Sequence, residues 1–285
     1  MNNPLINSST EKSVRLFINN PSSAVVLISK NGSGKGTIAK FIIDSVKSQP
    51  GQLIDSRDLI VIGDNTDKIA IDDVRLSLKN LAYKAINSKG YSRFVVIEHA
   101  ERLATDSQNM ILKTVEEPPE NTMVILTLDS KNSLLPTLLS RLTQINIGNI
   151  DTKNLKKYFI NQGFDLKDID LAMLASSNRI GEALSILTGD NGRIESLKRC
   201  KNILSMSKTD KLSLINNIYK DRAEVTSIIN DLLTISRASL ENASRNNSSS
   251  SMSWSNIVNE LLIAKNAFAK KANSKLVLTK LFLEI

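Results

Sequence analysis

One cysteine and one histidine are all that this chain of 285 residues holds of the side chains that build zinc sites and disulfides. Cys200 alone cannot close an intrachain disulfide, so no oxidising compartment is required. With His99 as its only companion, no zinc site of the usual Cys/His spacing can be built. Aromatic residues make up 4% of the chain, with Trp254 the single tryptophan. That scarcity argues against an RNA-binding sheet of stacked rings. No apolar run approaches membrane-spanning length. The start, Met1 to Asn7, lacks the basic-then-apolar pattern of a signal peptide. A cytoplasmic protein without a membrane partner is expected.

What is present is ordinary in amount. At 41% hydrophobic and 23% charged residues the composition is that of a soluble globular protein, and the length suits two or three domains. The net charge is +8. A surplus of Lys and Arg draws polyanions by counterion release. The surplus reads as modest and spread along the chain. Proximity to nucleic acid is favoured over a merely solvated basic surface.

Hydrophobic patterning divides the chain near Gly148. Before it, short apolar runs rich in β-branched residues alternate with helix-spaced segments. The runs Ala24–Ile28, Leu59–Ile62, Phe94–Ile97 and Met123–Thr127 read as buried strands, and Gln144–Ile147 as a last short one. Helices are expected over 11–19, with Ser8-Ser9-Thr10 as a cap, and over 37–47, 72–85 and 107–116, with a helical turn over 138–141. This order predicts a parallel α/β sheet with helices on both faces. After Gly148 the strand signals stop. Helices are expected over 152–162, 166–176 and 180–187, and again through 193–285, broken by the polar run 244–251. The division is thus 1–148, 149–192 and 193–285.

The loop between the first strand and its helix reads Ser29-Lys30-Asn31-Gly32-Ser33-Gly34-Lys35-Gly36-Thr37. Glycines let backbone N–H groups converge on phosphate oxygens, a helix N-terminus adds positive potential, and a lysine supplies a point charge. The competing reading, an ordinary Gly-rich turn, does not account for the strand before and the helix after. Gly32, Ser33, Gly34, Lys35, Gly36 and Thr37 are therefore the candidate phosphate contacts. Two positions depart from the strict motif. Ser29 stands where the first glycine is usual. Gly36 stands where a hydroxyl would ligate Mg²⁺, and Thr37 comes one residue late. The same run is similar to the loop of adenylate kinases, so Gly36 weakens metal binding without excluding ATP or ADP.

A second ordered set follows: Phe94 to Leu103, then Gln108 to Pro119 ending Val115-Glu116-Glu117-Pro118-Pro119, then Val124 to Thr127, then Leu134 to Arg141. Together these stretches resemble AAA+ clamp-loader subunits of the bacterial DNA polymerase III delta-prime type. The resemblance covers residues 1 to about 190, and the run Ala272 to Leu283 is similar to the end of that family's collar. It implies an AAA+ P-loop domain over 1–148, a helical lid and an all-α collar.

It also implies residue roles. Glu98 takes the place of the metal-binding strand-end acid. His99 replaces the carboxylate that orients water and has no role of its own. Thr127 lies on the sensor strand. In Asn178 to Leu184, Glu182 holds the place of a sensor arginine, with Arg179 one turn off. Ser140-Arg141 keeps the motif whose arginine enters a neighbour's ATP site, with Leu142 in place of a cysteine. The family's four-cysteine zinc module is missing between Pro50 and Arg57, so no zinc and no other metal is expected.

The implied function is a subunit of a hetero-oligomeric ring in DNA replication. It carries a degenerate ATP site, does not itself hydrolyse ATP, and lends Arg141 to a motor subunit. Its implied partners are the motor and delta-like subunits, the sliding clamp, and primer-template DNA through the complex. The alternative is a self-sufficient P-loop ATPase or nucleotide kinase, which needs lid arginines that are few here. A sequence-specific DNA-binding protein lacks a helix-turn-helix signal. The stripe Ile228, Ile229, Leu232, Leu233 and Ile235 serves either an internal core or a subunit interface.

Overall fold

The computed structural model describes residues 4–47, 59–63, 69, 71–80, 90–189 and 192–285. The chain divides into two compact units, Met1–Asp151 and Thr152–Ile285.

In the first unit five parallel strands stand in the order β2-β3-β4-β1-β5. They are β1 (Ala24–Ile28), β2 (Leu59–Ile62), β3 (Arg93–Ile97), β4 (Thr122–Leu128) and β5 (Thr143–Asn146). The helices are α1 (Ser8–Asn19), which precedes β1, and between the strands α2 (Lys35–Lys47), α3 (Ile71–Asn80), α4 (Thr105–Glu116) and the single turn α5 (Pro136–Leu139). Strand side chains alternate between faces. Val25, Leu27, Phe94, Val96 and Ile125 meet Val14 and Phe17 of α1 and Ile38 and Ile42 of α2. Val26, Val95, Ile97, Val124 and Leu126 meet Val74 of α3, Ile111 and Val115 of α4 and Leu138 of α5. A sheet covered on both faces explains why β1, β3 and β4 are apolar at nearly every position.

Several local expectations shift. The run 59–62 is not fully buried: Leu59 and Val61 are 42% and 47% exposed, because β2 is an edge strand. Asn7, not the serines after it, caps α1: its Oδ1 accepts the Ser9 N–H at 2.8 Å, and 8–10 are already helical. Thr10 is buried and its Oγ1 accepts from Gly148 N at 2.9 Å. Residues 81–85 of the expected third helix, and the segment 50–57, lie outside the described residues.

The second unit is helical throughout its described residues. It comprises α6 (Thr152–Asn161), α7 (Leu166–Ala175), α8 (Ile180–Thr188), α9 (Arg193–Ser205), α10 (Lys208–Ile218), α11 (Arg222–Arg245), α12 (Ser251–Ala269) and α13 (Ser274–Glu284). The segments expected as lid and collar both lie in it, and α7 packs on α8, α9 and α11. The break expected over 244–251 narrows to 246–250, since α11 continues through Arg245, whose guanidinium pairs with Glu241 one turn back at 2.7 Å. Ile228, Ile229, Leu232, Leu233 and Ile235 are all buried, which makes their stripe part of this unit's own core.

One carboxylate lies inside that core. Asp231 is 0% exposed and is held by the Arg193 guanidinium and by Ser196 Oγ at 2.5 Å. Nearby, burial pushes the Cys200 thiol up to about 12. Lys211 is buried too, its Nζ donating to the Ile285 carbonyl at 2.9 Å, and burial with Lys208 beside it holds its pKa below the ordinary lysine value.

The basic surplus is not spread along the chain. Residues 152–285 hold 20 of the 37 Lys and Arg against 13 of the 29 Asp and Glu, so +7 of the net +8 belongs to the helical unit. The first unit is nearly neutral.

Candidate functional site

In this strand order the chain leaves β1 for the far side of the sheet, and the carboxyl ends of β1, β3 and β4 are where sheets of this kind bind ligands. The phosphate loop lies there. Gly32 and Gly34 have φ of 78° and 85°, a left-handed backbone that glycine adopts without a Cβ clash. They turn the chain so that Lys35 opens α2, and its side chain is only 6% exposed. Lys35 Nζ donates to the Ser29 carbonyl at 2.7 Å and to the Asp129 carboxylate just past β4. A buried ammonium needs such partners. Ser33 Oγ is buried in the loop without a hydrogen-bond partner. An unpaired buried hydroxyl, a buried lysine and a glycine-turned backbone fit an anion such as the phosphates of ATP or ADP.

The metal side of the site differs. Gly36 carries no hydroxyl, and Thr37 is exposed. A β-carbon added at Gly36 would stand 3.2 Å from Glu98 Oε1. The longer acid at the end of β3 thus occupies room that a side chain at 36 would need. Behind it, Gly63 at φ 112° allows close approach: a β-carbon there would meet the Glu98 carbonyl oxygen at 2.3 Å. The residues therefore fit the phosphates better than they fit a hydroxyl-ligated Mg²⁺.

His99 has a φ of 54°, an uncommon value for a residue with a side chain. Its backbone N–H donates to Thr127 Oγ1 at 3.0 Å, and its Nδ1 lies 3.1 Å from Glu101 Oε1. Glu101 Oε2 in turn accepts from Asp129 N at 3.3 Å. His99 is therefore tied into a network reaching Lys35, which its reading as a residue without a role did not foresee. Thr127 is 3% exposed and serves to fix the turn after β3.

Arg141 lies beyond α5 at 44% side-chain exposure. Its Nε is 2.7 Å from Glu116 Oε1, the last residue of α4, and its Nη1 donates to the Thr137 carbonyl at 2.9 Å. Two stretches noted separately in the sequence, the helix end and the Ser-Arg pair, meet here. In the second unit Arg179 is engaged by Glu182 and donates from Nε to the Ser176 carbonyl at 2.8 Å. Sequence reasoning missed Asp129, Glu101 and the partnership of Glu116. The available signals were an acid directly after the sensor strand and the acidic end of the α4 motif.

Residues 13–151 match the family model described as DNA polymerase III, delta subunit. The DNA polymerase III subunit tau of Escherichia coli (strain K12) is 24% identical over 185 residues, 61% of this chain and 28% of that protein. The DNA polymerase III subunit delta' of Bacillus subtilis (strain 168) is 24% identical over 182 residues, 59% of this chain and 55% of that one. The matches therefore span less than two thirds of these relatives' own lengths. A DNA polymerase III gamma subunit-related protein from Thermotoga maritima shares the fold, with a TM-score of 0.58 over 97% of this chain and 98% of its own at 19% identity.

Proposed function

Through residues 13–151 the chain belongs to the DNA polymerase III clamp-loader family, and from that premise we propose that it is a delta-prime-type subunit that assists a neighbour's ATP hydrolysis rather than performing its own. The fold is an AAA+ α/β unit followed by a helical one. The observation that carries the proposal is Arg141: a half-exposed guanidinium held on two sides by Glu116 and Thr137, with N–H groups left over. Held in this way it loses little rotamer freedom on meeting a phosphate, and its planar fork matches phosphate oxygens. An arginine supplied in trans is worth on the order of 10³–10⁵ in rate at the site it enters.

The chain's own loop binds phosphate without turning it over in this reading. Gly36 removes one metal ligand, His99 is committed to Glu101 and Thr127, and Glu182 neutralises Arg179. The partners are the motor and delta-like subunits of a ring, with the sliding clamp and primer-template DNA engaged through the complex.

The test is ATPase activity of the reconstituted loader carrying wild-type, Arg141→Ala or Arg141→Lys subunits, with ring assembly verified. Both variants should lose the contribution of one neighbouring site. Unchanged activity in both would leave this chain a scaffold only. Separately, the isolated chain should show no Lys35-dependent turnover, and robust turnover would favour the self-sufficient ATPase or kinase reading.

A further inference from the structure

Between α11 and α12 of the second unit lies a cavity of about 360 Å³. That is within the range of sites that take a ligand side chain or small molecule. Its floor is apolar, made by the buried Ile229 and Phe268, and its rim is cationic, made by Arg222, Lys265 and Lys271, with the exposed Ala269 among them. No carboxylate lines it. The cations are not equivalent. Arg222 lies on the Phe268 ring at 4.1 Å and donates to the Phe268 and Ala272 carbonyls at 2.6 and 3.3 Å, so it closes the end of α12. Lys265 and Lys271 are exposed, and among the described residues neither ammonium has a hydrogen bond or ion pair.

Lys271 has a second peculiarity. It occupies the position after the helix end at φ 63°, where glycine is usual, and a residue with a side chain is disfavoured there. The chain thus places a long cation at a point where backbone preference argues against one. The wider charge agrees: from Glu260 to Glu284 the sequence has five lysines and no acid between.

We propose that this cavity is a docking site for an acidic segment of a partner protein, in which an aliphatic side chain enters the apolar floor and flanking carboxylates meet Lys265 and Lys271. A nucleic-acid strand fits less well. Phe268, the only ring in the lining, is 6% exposed and already faced by Arg222, so no base-stacking platform is offered. Phosphate tracking needs a run of cations along a groove, whereas these converge on one concavity. Rim charges of this kind govern association and salt sensitivity, and the anchor governs residence. The inference does not depend on the role given to Arg141.

The experiment is fluorescence anisotropy of the full chain with a labelled probe, the peptide Asp-Glu-Leu-Leu-Asp-Glu, at low salt. Two further probes are the same peptide with both leucines replaced by serine, and a short oligothymidylate. Lys271→Gly removes the cation while suiting the backbone, and Ala269→Glu puts an anion on the exposed rim; circular dichroism checks that both variants are folded. Salt-sensitive binding of the leucine peptide is expected, weakened about tenfold by Ala269→Glu and several-fold by Lys271→Gly or by the serine exchange. Three results would overturn the proposal: no binding of the leucine peptide, equal binding of the serine peptide, or tighter binding of oligothymidylate that depends on the same residues.

Discussion

Each unit buries one partner of an ion pair, and they bury opposite partners. In the α/β unit the cation is inside: Lys35 is 6% exposed while Asp129 is 37% exposed. In the helical unit the anion is inside: Asp231 is 0% exposed while Arg193 is 41% exposed. The settings differ as well. Lys35 follows a glycine-turned loop at the carboxyl end of β1, near an unpaired Ser33 hydroxyl. Asp231 sits in the middle of α11, tied to two residues of α9. A buried charge whose partner is a loop carboxylate beside other unpaired polar groups can exchange that partner for a ligand. A buried charge locked between two packed helices cannot, and its work is to fix their register. This contrast separates a binding site from a structural clasp.

The largest effect should come from breaking the clasp. Asp231→Ala strips Arg193 and Ser196 of their acceptor and leaves a hole in the core, at a cost of about 3 kcal/mol in denaturant unfolding. A loss below about 1 kcal/mol would mean that Arg193 already prefers water. Next, Asp129→Ala frees Lys35 of its internal anion. Nucleotide affinity, read by titration calorimetry with ATP and ADP, should rise about tenfold, or about 1.4 kcal/mol. A fall instead would show that Asp129 aligns the lysine for its ligand.

A smaller effect is expected at the metal side. Gly36→Thr crowds Glu98 and should cost about 1 kcal/mol, whereas adding Glu98→Asp makes room and recovers most of it. The double-mutant cycle in stability measures this coupling, and strict additivity would deny it. The smallest effect is a pH slope. Lys211 has a lowered pKa in the fold, so the folded chain binds fewer protons than the unfolded one as pH climbs toward the ordinary lysine value. Its burial therefore penalises stability below the folded pKa, and the penalty is relieved as pH rises from there to about 10.5. Lys211→Met should flatten that rise in a pH series of unfolding curves.

How much of this was legible depends on how local the cause is. The three central strands could be read because a sheet covered on both faces writes a continuous apolar run. β2 writes a similar run, and its edge position, set by pairing with β3 alone, left no mark in its own residues. The phosphate loop was legible because glycine spacing is itself the geometry. The cap of α1 was misassigned because Asn7, Ser8, Ser9 and Thr10 are all competent caps, and only the backbone turn selects one. Asp129 and Glu116 act across separations of 94 and about 25 residues, so their partners, Lys35 and Arg141, appear only when strands and helices are assembled. The concentration of charge in the second unit was legible too, since the boundary read near Gly148 lies within a few residues of the packed one and only a count on each side of it was missing.

The strand order also fixes a timetable. β1 is made at residues 24–28, yet its two neighbours in the sheet are β4 at 122–128 and β5 at 143–146. During synthesis this wholly apolar strand has no sheet partner until about a hundred further residues have been made. Closing loops of that length precedes any reward from pairing, which slows folding and prolongs exposure of Val25, Val26 and Leu27. The helical unit follows another schedule, since α11 meets α12, and α12 meets α13, across short turns as soon as each is complete. A nascent chain that stalls before residue 122 therefore presents β1 as a bare strand for chaperones, while one that stalls after residue 146 has partners for both of its edges.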